Sequence, residues 1–166
     1  MIIFAAPMPD IMKKFLFPFF LFILITSSLS AQEVILKKGR YVLRETGKPY
    51  TGIYRENDPE NKLVSEISIK NGLLDGNTIV YFPSGAKKEE RAYREGKKHG
   101  TWTNWTESGV KIAEAGFIDG KKDGAWFVWD DEGVKRYDMF YENGQKKGTW
   151  IIYDAAGKEI SREEFK

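Results

Sequence analysis

Glycine returns along this chain at a fixed interval. One series falls at Gly72, Gly96, Gly120 and Gly144, and a second at Gly76, Gly100, Gly124 and Gly148. A third falls at Gly85, Gly109, Gly133 and Gly157. Each series advances in steps of 24 residues. The second also reaches back to Gly52 in "GKPYTGIY", so a degenerate first copy starts near Gly47. A fixed period of this size is the mark of a repeat architecture and limits the folds open to the chain.

Two runs recur inside each period. The first covers 77–82, 101–106, 125–130 and 149–154 and is rich in β-branched and aromatic residues, as in "TWTNWT" and "AWFVWD". The second covers 87–93, 111–117, 135–141 and 159–165. Between them lie polar turns ending in glycine, whose free access to positive φ suits a hairpin. The unit is therefore two antiparallel strands and two turns. About five units predict an all-β chain, an elongated antiparallel β-meander of about ten strands, roughly 48 Å long at about 4.8 Å per strand. Gly124 is expected to let the backbone pass close to a neighbouring aromatic ring.

Alternation sets the faces. Trp102, Trp126 and Trp150 share one face. Trp105 and Trp129 share the other with Phe127, Ile151 and Tyr153. Large apolar groups on both faces predict a strongly twisted or curled sheet. One face would close over a narrow core, and Lys and Arg stems would partly cover the other.

Residues 12–32 read "MKKFLFPFFLFILITSSLSAQ". Two lysines, an apolar run and then small polar residues follow the order of a secretory signal. The run is shorter than the roughly 17–25 apolar residues that span a bilayer. Residues 1–31 are therefore expected to be a signal helix that is removed, with Met12 as the better start. A lead-in over 32–45 and a repeat domain over 46–166 follow. An uncleaved anchor is the alternative.

The mature chain would hold about 135 residues. The whole sequence carries a formal net charge of +2, and losing Lys13, Lys14 and Asp10 leaves +1. That balance gives no electrostatic reason to bind nucleic acid. The sequence has no cysteine. An exported chain of this kind gains nothing from disulfides and offers no thiol for a lipid anchor.

At "YREGKKHGTW", "FIDGKKDGAW" and "YENGQKKGTW" the chain resembles the MORN repeat, in particular its bacterial variant. "SIKNGLLDGNT" is a weaker copy, with Thr78 in place of tryptophan. "TGKPYTGIY" looks like the first-repeat form of bacterial members. The resemblance spans about residues 46–165. It implies a β-hairpin array that works by interaction rather than chemistry. Some bacterial members carry an antitoxin label, which fits poorly with an exported chain.

Individual residues narrow the function. His99, the one histidine, has no cysteine or second histidine for a zinc site or a nucleophile pair, and reads as a solvated turn residue. Asp130, Asp131 and Glu132 read as a hairpin loop rather than as acid–base groups. "GKKHG" and "GKKDG" lack the Ser/Thr ending and helix of a phosphate loop. No catalytic residue, metal or cofactor is expected. Lys97, Lys98, Lys121, Lys122, Lys146 and Lys147 recur on one edge. They read as a guard against edge aggregation, or as a row that meets acidic lipid or polysaccharide. Membrane contact would be of that peripheral kind, not a span.

The aromatic series Tyr81, Trp105, Trp129 and Tyr153 is the strongest candidate surface, with internal packing as its plain alternative. These readings predict an exported, non-enzymatic module in the periplasm, at the outer surface or secreted. It would bind a protein or an envelope component, and the alternative is a cell-wall carbohydrate held on that aromatic series.

Overall fold

The structure is a computed structural model and describes residues 33–166. The expected signal segment, 1–31, lies outside the described residues. All named elements are strands. A hairpin of β1 (Val34–Lys37) and β2 (Arg40–Leu43) precedes the main sheet. There follow β3 (Gly52–Asn57), β4 (Leu63–Lys70), β5 (Leu73–Tyr81), β6 (Lys87–Arg94), β7 (Lys97–Trp105) and β8 (Lys111–Ile118). The chain ends with β9 (Lys121–Trp129), β10 (Lys135–Glu142), β11 (Gln145–Lys146), β12 (Gly148–Tyr153) and β13 (Glu159–Phe165). From β3 to β10 each strand pairs antiparallel with the next, β10 pairs with both β11 and β12, and β12 with β13, without a crossover. β11 and β12 together form one first strand, interrupted at Lys147. The meander of five successive hairpins is thus the one the glycine period predicts.

Two kinds of turn alternate. Asn71–Gly72, Glu95–Gly96, Asp119–Gly120 and Asn143–Gly144 each have two positive φ values, such as 48° and 89° at Asp119 and Gly120. That is a two-residue type I′ turn, whose twist matches that of the strands. At Glu95–Gly96 and Asn143–Gly144 both turn N–H groups are caught by the preceding hairpin. Glu95 N–H donates to Asp75 Oδ2 at 3.1 Å and Gly96 N–H to the Leu74 carbonyl at 2.7 Å. Asn143 and Gly144 repeat this on Asp123 Oδ2 and the Lys122 carbonyl at 2.9 and 2.8 Å. The wider turns at the opposite ends of the strands end in a positive-φ glycine, as at Gly133. There Gly133 N–H donates to the Asp130 carbonyl at 3.0 Å, and Asp130 Oδ1 accepts Val134 N–H at 2.8 Å. Asp130 is spent on its own turn and, through Oδ2, on Arg136 Nη1 at 3.5 Å.

The first strands are longer than the apolar runs suggest, beginning directly after the type I′ turn. Gly76, Gly100 and Gly124 therefore lie inside strands, at bulges. In the β6–β7 ladder Arg91 faces Trp102 and Tyr93 faces Lys98, so residues 99–101 stand against Ala92 alone. In β8–β9, residues 123–125 stand against Gly116. Gly124 does face an aromatic residue, Tyr141. A Cβ there would nevertheless meet nothing within 4 Å, and the backbone φ of +86° is what calls for glycine.

The expected closed core is absent among the described residues. Only Val34, Val42, Ile67, Ile69 and Phe117 are buried apolar residues, and no side chain is fully buried. β3–β13 form a single sheet. The stretch expected as a lead-in is instead the β1–β2 hairpin, which caps the first unit. Tyr41 N–H donates to the Gly72 carbonyl at 2.9 Å, and the Tyr41 and Tyr54 rings lie 6.0 Å apart.

A non-glycine residue in the left-handed region is strained unless it is Asn or Asp. Glu95→Asn keeps the N–H bond to Asp75 and is expected to raise stability by about 0.5–1 kcal/mol. Denaturant unfolding checks this by a higher midpoint at unchanged slope.

Candidate functional site

On one face the rings of Tyr93, Trp102, Phe117, Trp126, Tyr141, Trp150 and Phe165 form an unbroken ladder. Successive centroids are 5.0–5.3 Å apart and the rings are tilted by 49–62°. Tilted rings set the positive edge of one against the negative face of the next, at about 0.5–1.5 kcal/mol per pair. Lysine ammonium groups cap the ladder. Lys98 Nζ sits 4.3 Å from Trp102 and 5.0 Å from Phe117. Lys122 lies 4.2 Å from Trp126 and 4.6 Å from Tyr141, and Lys146 4.3 Å from Trp150 and 4.7 Å from Phe165. Half of the expected lysine edge is therefore laid over rings, although Lys98 and Lys146 stay exposed there, and Lys97, Lys121 and Lys147 are exposed away from the ladder.

The same tryptophans pin the bulges. Trp102 Nε1–H donates to the Ala92 carbonyl at 2.9 Å and Trp126 Nε1–H to the Gly116 carbonyl at 3.0 Å. Trp150 Nε1–H donates to the Phe140 carbonyl at 3.0 Å. Each acceptor belongs to the residue opposite a break in the ladder register. This face is a structural spine, with ring faces and indole donors used within the sheet.

The opposite face holds Tyr81, Trp105, Trp129 and Tyr153, each at the end of a first strand and all half-buried. They sit two strands apart, and lysines stand between them. Tyr81 faces Lys87 and Trp105 faces Lys111 across the register. Lys87 Nζ lies 5.3 Å from the Trp105 ring and Lys111 Nζ 5.8 Å from Trp129. Among the described residues no ring stack joins these four to one another, although Trp129 packs on Phe127 at 5.6 Å. The structure thus brings them into one row but not into one stack. Trp105 and Trp129 have no protein acceptor for their indole N–H groups among the described residues.

Sequence reasoning missed the acids of this face. Glu66, Glu90, Glu114 and Asp138 recur at the repeat period, each beside a cation. The partners are Arg55 at 2.7 Å, Lys87 at 2.7 Å, Lys111 at 2.6 Å and Lys135 at 3.1 Å. The signal was available as a 24-residue step in acidic residues. Tyr81 also donates its hydroxyl to Glu66 Oε2 at 2.9 Å. The hydrogen bonds from Tyr81 and then Arg55 hold the Glu66 carboxyl below its ordinary range. Burial, then Glu66, pushes the Tyr81 phenol up. His99 also differs from expectation. It lies in the β7 bulge, half-buried, with Nδ1 unpartnered and 3.7 Å from Asp119 Oδ1.

A family model described as MORN repeat variant matches residues 50–71, which cover β3, β4, the turn between them and the first residue of the turn that follows. One hairpin of the chain is thus similar to a MORN-variant repeat. The matched hairpin is the one whose glycine pattern is most degenerate, and the four regular 24-residue units follow it in the same sheet. No curated protein matches the sequence.

Two outcomes check this site. Trp126→Phe keeps the ring and removes the donor to Gly116, and is expected to cost about 1–2 kcal/mol, whereas Trp129→Phe costs under about 0.5 kcal/mol. Thermal unfolding of both variants separates them. A lowered folded pKa means that Glu66 contributes stability above its ordinary value, and that the contribution fades as pH falls through the lowered one. Carboxyl NMR titration of Tyr81→Phe should move the Glu66 midpoint upward, and an unmoved midpoint refutes the assigned cause.

Proposed function

We propose that the chain is an exported, non-enzymatic binding module that holds a protein or another envelope component along the face bearing Tyr81, Trp105, Trp129 and Tyr153. The observation that carries this reading is the contrast between the two aromatic faces. The ladder face spends its ring faces and indole donors internally, while Trp105 and Trp129 keep their donors free on a half-exposed row. Half-buried aromatic groups with unused donors on a rigid support are what recognition surfaces use. The sequence of residues 12–32 supports export to the periplasm, the outer surface or the medium. MORN repeats form modules that commonly bind, which supports interaction over turnover.

The alternative is a cell-wall carbohydrate on the same row, which the spacing of rings along the sheet favours. Capture from an envelope fraction, with the full chain as bait, tests the main reading. A protein or polymer retained by the native chain and lost with Trp105→Ala plus Trp129→Ala is expected. Equal retention by both baits would overturn the assignment of this face. Quenching of tryptophan fluorescence by cell-wall glycans, but by no envelope protein, would favour the alternative.

A further inference from the structure

The four rings of the row do not stand in equivalent surroundings. Beside Tyr81 lies a cleft of about 450 Å³ lined by Lys62, Leu63, Pro83, Ser84 and Gly85. Beside Trp105 lies one of about 300 Å³ lined by Ala86, Lys87 and Gly109. These are one cleft repeated. Lys62 and Ala86, Leu63 and Lys87, Tyr81 and Trp105, and Gly85 and Gly109 are each separated by one period. The next two copies are filled. The positions that follow Lys62 and Ala86 are Val110 and Val134. A Cβ on Gly133 would lie 3.4 Å from Val110 Cγ1, and one on Gly157 3.5 Å from Val134 Cγ1. At Gly85 and Gly109 the same space is empty to 4 Å. Valine closes the Trp129 and Tyr153 copies, and lysine and alanine leave the first two open.

Two open clefts one hairpin apart are separated by about 9.6 Å, twice the spacing of paired strands. A polyproline II helix repeats every three residues at 3.1 Å each, or about 9.3 Å. Such segments dock on aromatic-lined grooves, where an indole N–H meets a ligand carbonyl. Proline brings a ring and a carbonyl but no N–H, so it asks only for donors. Trp105 offers one. A sugar ring brings several hydroxyls, and burying them unpaired is costly. Apart from the Tyr81 hydroxyl, which Glu66 holds, and the Trp105 indole, Ser84 is the one neutral polar side chain in either lining. The only charged lining residue in each cleft is a lysine, Lys62 or Lys87. Their ion pairs, with Glu60 and Glu90, are at the surface and cheap to exchange.

We infer that the Tyr81 and Trp105 clefts together bind an acidic, proline-rich segment of a partner protein in the polyproline II conformation. The inference rests on the reading of this face as a binding surface and names its ligand class. Tyr81 supplies a ring wall, its hydroxyl being held by Glu66. Trp105 supplies a wall and a donor. Lys62 in one cleft and Lys87 in the other each favour an acidic ligand residue.

The test is NMR titration of the full chain with the peptide (Pro-Pro-Glu)4, with (Pro-Pro-Lys)4 and chitohexaose as further probes. The acidic peptide is expected to shift the Trp105 indole N–H signal and leave that of Trp126 in place. Ala86→Val installs the side chain that the later repeats already carry, so the fold should persist. It is expected to weaken binding at least tenfold. Trp105→Phe, which keeps the ring, should also weaken it. Val110→Ala should open a third cleft and bring the Trp129 indole signal into the response. No shift at Trp105, equal binding of the basic peptide, binding undiminished in Ala86→Val, or chitohexaose in these clefts instead would each overturn the inference. If Ala86→Val abolishes none of the envelope capture that Trp105→Ala plus Trp129→Ala removes, the binding face stands and the proline-rich ligand falls.

Discussion

A sheet with no second layer must bury its apolar surface within itself. Here the indole–carbonyl bond and the ring ladder do that together. Each bulge lets an indole reach back to the carbonyl of Ala92, Gly116 or Phe140. The bond fixes the ring where its neighbours on the adjoining strands can pack against it. Six ring contacts at about 1 kcal/mol each reach the scale of a small domain's whole net stability, about 5–15 kcal/mol. The positive-φ glycines follow from this arrangement, because without Gly100 or Gly124 the bulge that admits the indole would be strained.

Strand parity then divides the labour. Trp102 and Trp105 are three residues apart, as are Trp126 and Trp129, and an odd offset sends one of each pair to either face. The first of each pair is locked into the spine. The second stands among lysines that are paired with Glu90 and Glu114, with its donor unspent. On the proposed reading, stability and recognition are thereby placed on opposite faces of one layer. A substitution on the recognition face can change the ligand without disturbing the spine. The valines at 110 and 134 would be natural cases of such a change.

The period, the hairpins and the second strands were legible in the sequence, because type I′ turns announce themselves as Asn-Gly or Asp-Gly between β-forming runs. The bulges were not. A glycine with positive φ looks the same in a turn as inside a strand, and only the register shows that residues 99–101 face one partner. For that reason the apolar runs understated the first strands, and the ring ladder through Trp102, Trp126 and Trp150 could not be read from them. The cap escaped notice because β1 and β2 lack the glycine step. The row at Tyr81, Trp105, Trp129 and Tyr153 was visible as a series. Its division into open and closed clefts depends on the residue facing each turn glycine across one period, and that neighbour is visible only in three dimensions.

The account turns on which indole donors are held within the sheet. The chain has five tryptophans, so hydrogen exchange of five resolved Nε1–H signals reads it directly. Trp102, Trp126 and Trp150 should exchange slowly, near the rate of the surrounding backbone amides, and Trp105 and Trp129 orders of magnitude faster. Five equally fast signals would mean that the bulges are not pinned by indoles, and that something other than this ladder holds the sheet together.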